Sequence, residues 1–335
     1  MNSNDLYPLR FAPIFQYRLW GGRRLENYIA EPLPGTEPIG EAWVLSDRDD
    51  FTTVIADGPL QGKSITQLLR ERSDQLIGKN VEQFTRFPLL LKFLDASEIL
   101  SLQVHPSDDH KELLPPGEKG KTEAWVVLET TAKSIIYGGL KPGVNRESVE
   151  QAIHEKRLAE LLPAFQPAVG DGIYLPAGTV HALGGMVVFE VQENSDMTFR
   201  LSDWDRVDAH TGKARELQVE QALKCIDWSQ GAVSPVKPLI EKEQNPCREL
   251  LFACDYFTTH RLQSAQPFEV ATPGEPRVFV CIDGAGRFMH NGASYPVNRG
   301  SVYFMPASLE SCICDPDGGI TLLETALPLK NSSKA

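Results

Sequence analysis

The chain has 335 residues, 41% hydrophobic and 23% charged, with a formal net charge of −12. That length exceeds one typical core, so two domains are expected, and no apolar run reaches membrane-spanning length. The negative balance argues against nucleic acid and anionic membranes as partners, so an anionic ligand would need basic side chains gathered locally.

The N-terminus, Met1 to Tyr7, has no basic patch followed by an apolar stretch, so no secretory signal is expected. Residues 7–60 are rich in Pro and Gly with short apolar pieces, the pattern of strands and loops wrapping a barrel. A helix is predicted over 64–77, with Ser64 as N-cap, Ile65, Leu68, Leu69 and Leu76 as its apolar stripe and Gly78 as its stop. Phe87 to Leu94 is an apolar run broken by Lys92 and predicts a buried strand. Residues 98–105 predict a strand, 106–122 a polar loop, and Thr122 to Leu128 another strand. A helix is expected over 147–163, strands over 169–176 and 186–192, and a helix over 217–227. Residues 229–247 have linker composition, and 248–328 show only short strand-like runs and turns. All six cysteines, Cys225, Cys247, Cys254, Cys281, Cys312 and Cys314, lie late in the chain and read as reduced thiols of a cytoplasmic protein. The expected division is residues 1–235 as a catalytic domain and 245–335 as a second domain without a metal site.

Residues 170–181 read Gly-Asp-Gly-Ile-Tyr-Leu-Pro-Ala-Gly-Thr-Val-His, a turn, a strand and a break that deliver His181 to a barrel mouth. A second glycine-to-proline run, Gly300 to Pro306, repeats the pattern, with Ser311 aligned to His181. The chain reads as two copies of one β-unit, of which the first keeps its ligand-type residue.

Four residues read as one metal site. Gln103 and His105 are two apart on a predicted strand and project from one face, Glu123 opens the next strand, and His181 follows the break. Two imidazoles, a carboxylate and an amide leave a divalent ion with residual positive charge, able to polarise a bound oxygen. These donors suit zinc, manganese, iron or nickel alike. Cys281 with Cys312 and Cys314 has no metal-type spacing and reads as buried apolar filling.

Gly170 through His181 fits the second cupin motif. Gln103-x-His105 stands where the first motif has His-x-His, and the carboxylate follows later than usual. That departure resembles the type I phosphomannose isomerases. So do Trp20-Gly-Gly22, Gly40-Glu-Ala-Trp43, Pro88-Leu-Leu-Leu-Lys92, Gln103-Val-His-Pro-Ser-Asp108, Gly120-Lys-Thr-Glu-Ala-Trp125 and Glu193-Asn-Ser-Asp-Met-Thr-Phe-Arg200. The resemblance spans nearly the whole chain. It implies a mainly β double cupin, two β-barrel units with a few helices in and around the first half. It also implies one zinc ion held by Gln103, His105, Glu123 and His181, and mannose 6-phosphate and fructose 6-phosphate as the substrate pair. The interval between Glu123 and His181 has room for only one or two helices, as in a short bacterial form without the large helical insertion.

Aldose–ketose isomerisation moves a proton between C1 and C2 and places negative charge on oxygen, which a metal and fixed cations stabilise. Lys121, two residues before Glu123, is expected to share its face and to act as base or phosphate ligand. Arg200 is expected to bind the enediolate or the phosphate. Lys92 and Arg206 are further expected cations at the cavity, and Glu193 an acid/base or supporting partner. Expected partners are a small sugar phosphate, no nucleic acid and no membrane, in a monomer or weak homo-oligomer. A cupin oxygenase and a non-catalytic sugar-binding or regulatory cupin are the alternative classes.

Overall fold

The computed structural model describes residues 6–78 and 84–328. Met1 to Asp5, which entered the secretory-signal reading, and the tail from 329 lie outside the described residues, as do 79–83. Strands of the first sheet are β1 (Ile14–Gly22), β2 (Ile39–Leu45), β3 (Leu89–Ala96), β4 (Leu102–Val104), β5 (Glu123–Gly138), β6 (Ala164–Phe165), β7 (Gly172–Leu175), β8 (His181–Glu193) and β9 (Phe199–Ser202). The second sheet contains β10 (Leu239–Lys242), β11 (Cys247–Ala253), β12 (Thr258–Ser264), β13 (Phe268–Glu269), β14 (Arg277–His290), β15 (Ala293–Asn298), β16 (Val302–Met305) and β17 (Ile313–Ala326). The first sheet runs β1-β2-β3-β8-β4-β9, with β5 joined to β6, β7 and β8. The second runs β10-β11-β12-β17-β14-β15, with β13 on β17 and β16 on β14. Helices α1 (Ile65–Leu76), α2 (Arg146–His154) and α3 (Val219–Cys225) all fall within or just after the first sheet. This is the mainly β, double-cupin architecture that the family resemblance implies.

The two sheets repeat one topology. Strands β1, β2, β3, β5, β7 and β8 find their counterparts in β10, β11, β12, β14, β16 and β17. Leu175 pairs with Glu123 in the first sheet and Met305 with Arg277 in the second. Leu175 and Met305 hold the same place in the two glycine-to-proline runs, so Arg277 stands where Glu123 stands.

Alternation along the strands sorts side chains into two interiors. Odd positions of β8 (Val187, Phe189, Val191) and even positions of β5 (Ala124, Val126, Leu128) join a core shared with Phe252, Val280 and Leu322 of the second sheet. The opposite faces, with Leu94, Trp125, Val127, Met186 and Val188, fill the first barrel beneath its mouth. Glu123 and Glu190, described below, lie on that barrel-facing parity.

Several elements differ from expectation. The helix expected over 147–163 stops at His154, because Lys156 takes a left-handed conformation (φ 58°), and one 3-10 turn at Leu158–Leu161 follows. Of the strand expected over 98–105 only β4 forms, so His105 lies just beyond its end. β8 begins at His181 itself, well before 186. The linker-like stretch 229–247 contains β10, a fully exposed strand too short for its alternation to be read. α1 starts as predicted: Ser64 caps it and exchanges hydrogen bonds with Gln67. Among the described residues no helix is long and apolar enough to cross a membrane.

Gly300 joins the two halves. Its φ is +86°, and a Cβ there would lie 1.4 Å from the Tyr28 carbonyl oxygen. Gly300→Ala should therefore destabilise the fold by roughly 2 kcal/mol or more. Chemical denaturation checks this, and a variant as stable as the parent would show that the contact relaxes freely.

Candidate metal centre and active site

Register brings the predicted ligands together. Gln103 pairs with His181 across β4 and β8, and Glu123 begins β5 beside Gln192 of β8. His181 Nε2 lies 3.2 Å from Glu123 Oε1, and His105 Nε2 lies 3.4 Å from Glu123 Oε2. Gln103 Nε2 is 3.4 Å from His181 Nε2, so the amide is the fourth member of the cluster. A half-turn of that amide exchanges its nitrogen for its oxygen. His105, Glu123 and His181 form the one metal-capable group of His, Cys, Asp or Glu among the described residues, with donor atoms within 4.8 Å of one another.

Two observations show that these side chains fit a cation. His105 Nδ1 faces the Met197 carbonyl at 2.8 Å and His181 Nδ1 faces the Thr179 carbonyl at 2.9 Å. A carbonyl only accepts, so each Nδ1 carries the proton and each Nε2 presents its lone pair to the centre. Burial, then the Lys121 charge, pushes His105 down to about 3, which keeps the ring neutral. Both Glu123 oxygens are buried with no hydrogen bond in good geometry, although Lys121 Nζ stands 2.8 Å from Oε2. Burial opposes the Glu123 charge, but Lys121 and His105 outweigh it and hold the carboxyl well below its usual range.

Above this cluster opens a cavity of about 340 Å³, into which Gln103, Lys121, Lys92 and Arg200 project. The Arg200 Nε is buried without a hydrogen-bond partner. Burial, then the neighbouring Arg215 charge, lowers the pKa of its guanidinium. An unpaired cation held next to another cation is a receptor for an anion.

The profile of the type I phosphomannose isomerase catalytic domain matches residues 9–124. The mannose-6-phosphate isomerase ManA of Bacillus subtilis is 32% identical over 306 residues, covering 90% of this chain and 94% of the relative. The chain belongs to the type I phosphomannose isomerase family. A crystal structure of the mannose 6-phosphate isomerase from Bacillus subtilis superposes with a TM-score of 0.87 at 28% identity, over 96% of this chain and 99% of that one. A zinc-bound mannose 6-phosphate isomerase, 14% identical, shares the fold with a TM-score of 0.79 over 97% of this chain and 100% of the other.

Not every residue singled out in the sequence of this isomerase-family chain reaches the cavity. Arg206 is turned away: its guanidinium binds Asp203 and the Ile99 carbonyl and borders a different hollow beside α2. Glu193 has odd parity on β8 and so points to the opposite face of the sheet from Glu190. There it accepts the Thr122 backbone N–H at 2.7 Å. Sequence reasoning missed Glu41, Glu190, Arg18 and Arg215, which line the cavity. Glu41 and Glu190 were detectable in principle, since each is a charge flanked by apolar residues in a strand, as Lys92 is.

Burial pushes the Glu193 carboxyl up to about 7; the Thr122 N–H works against this and Asp108 adds to it. The folded chain then keeps a proton that the unfolded chain releases near 4.5. The stability from this group is full below about 4.5 and is lost as pH rises through about 7. Glu193→Gln stays neutral, so it should gain on the parent by roughly 3 kcal/mol between about pH 5 and about pH 8. Urea unfolding at the two pH values reads this directly, and a pH-independent difference would rule it out.

Proposed function

We propose that the chain interconverts mannose 6-phosphate and fructose 6-phosphate through an enediolate, with one zinc ion held by Gln103, His105, Glu123 and His181. The observation that carries this reading is the juxtaposition of a convergent N/O donor set with an unpaired guanidinium in one cavity. Family membership and the zinc in a structural neighbour of the same fold support it. When bound, zinc supplies a Lewis acid toward the sugar oxygens at C1 and C2.

The proton leaves C2 of the aldose while the C1–O1 double bond opens to an enediolate. Transfer of the O2 proton to O1 and protonation at C1 then give the ketose. Arg200, directly opposite Gln103 in the β4–β9 register, holds the oxygen on which charge develops. Lys121 lies between Glu123 and Glu190 and places a second cation at the same end of the cavity. Glu190 is the cavity carboxyl suited to move the proton. Burial and the Glu123 charge raise its pKa against Lys92 and Lys121, and Trp125 Nε1 fixes it by a 2.7 Å hydrogen bond. Lys92 serves this centre as the fixed partner of Glu190.

We assign the metal to the first sheet alone, since Arg277 replaces Glu123 and Ser311 replaces His181 in the second. All six cysteines are free thiols, which fits a reducing, cytoplasmic setting for a monomer or weak homo-oligomer.

A panel of hexose 6-phosphates assayed alongside metal analysis tests the reading; turnover of mannose 6-phosphate with about one zinc per chain is expected. A chelator should abolish that turnover while circular dichroism stays native, because the shared core holds the barrel without the ion. Arg200→Ala should lower kcat by about two to three orders of magnitude and retain the metal. Full turnover in that variant would contradict its role.

A further inference from the structure

We propose that Arg215 reads the substrate's phosphate group and is a specificity-determining residue beside Arg200. This rests on the sugar-phosphate reading above. Four arginines cluster around this part of the fold, and their existing bonds separate them. Arg18 gives Nε and Nη2 to Glu41 and Nη1 to the Tyr17 carbonyl. Arg206 is wholly engaged by Asp203 and the Ile99 carbonyl, outside the cavity. The Arg200 guanidinium has no hydrogen-bond or ion-pair partner among the described residues, and its Nε is buried. Arg215 gives Nε (2.8 Å) and Nη2 to Asp203, which leaves Nη1 uncommitted while the side chain lines the cavity at 20% exposure.

The position of Arg215 fits the far end of a hexose 6-phosphate. Arg200 lies in the sheet opposite Gln103, at the metal end. Arg215 lies outside the sheet, in the segment between β9 and α3 that borders the same cavity. That segment is fixed at its root by Asp203. Its tip, His210, packs on Tyr17 of β1, with ring centroids 4.1 Å apart, and lies 3.3 Å from Glu37. The Arg215 charge also acts on the Arg200 guanidinium, a repulsion that a dianion in the cavity relieves and a neutral sugar does not. Removing Arg215 leaves Asp203 paired with Arg206, so the carboxylate is not stranded.

Arg215→Ala should reduce kcat/KM for mannose 6-phosphate roughly ten- to hundredfold, mainly through KM, the range expected for a lost charge-assisted hydrogen bond. The preference for mannose 6-phosphate over free mannose should narrow by the same factor, and inhibition by inorganic phosphate should weaken in parallel. Arg215→Lys should recover part of each. In the parent protein, inorganic phosphate should slow amide hydrogen exchange across 205–216, a readout that needs no variant. Unaltered phosphate discrimination in a folded variant overturns the assignment, as does exchange unaffected at phosphate concentrations that inhibit. Parent turnover of mannose 6-phosphate tests the earlier reading separately, so failure of one is distinguishable from failure of the other.

Discussion

Charge compensation inside the barrel governs this structure. Arg18, Glu41, Lys92, Glu190, Lys121 and Glu123 form a chain of alternating sign across the sheet, with successive separations of 3.0, 3.9, 3.1, 3.9 and 2.8 Å. All but Arg18 are buried. These side chains are largely removed from solvent, so each depends on its neighbours, and removing one strands the next at a cost of about 3–5 kcal/mol. The strand register imposes the order: Trp43, Lys92, Glu190 and Trp125 sit in one cross-strand row over β2, β3, β8 and β5. The two tryptophans close the row by donating their indole N–H groups to Glu41 and Glu190, each at 2.7 Å. A reacting sugar therefore meets charged groups already aimed, which reduces the reorganisation its reaction requires.

The parts of this site that were legible in the sequence depend on strand periodicity. Gln103, His105, Glu123 and His181 could be grouped because each lies at or near the end of a strand-like run, and Lys121 followed from its two-residue offset. Glu41 and Glu190 went unread because only the cross-strand register makes them partners of Lys92. Arg206 and Arg215 could not be distinguished at all. They lie in one irregular segment, and their directions are set by the single carboxylate of Asp203, which only folding reveals. Glu193 shows the same limit from the other side, since a one-residue change of parity moves a side chain from the barrel to the opposite face. The α2 terminus was hidden because the apolar spacing continues past Lys156, where the backbone does not.

The second sheet retains the scaffold and has exchanged the chemistry. Arg277, in the place of Glu123, pairs with Glu275 at 2.5 Å and Glu324 at 3.2 Å. Glu275 occupies the place of Lys121, so both signs are reversed relative to the first sheet. Where His181 presents an imidazole, Ser311 offers its backbone carbonyl to His290 and its hydroxyl to Glu269. Ion pairs and hydrogen bonds have taken over the space at that barrel's mouth, which shows how one topology accommodates opposite local electrostatics.

The core shared by the two sheets sets a limit on how this polypeptide can be divided. Val187, Phe189 and Val191 turn one face of the first barrel toward Phe252, Val280 and Leu322. Severed from its companion, the first barrel would offer a broad oily wall to solvent, opposite the mouth where substrate enters. The back half thus serves as a permanent buttress, whose inner surface must remain greasy while its outer surface is free to drift.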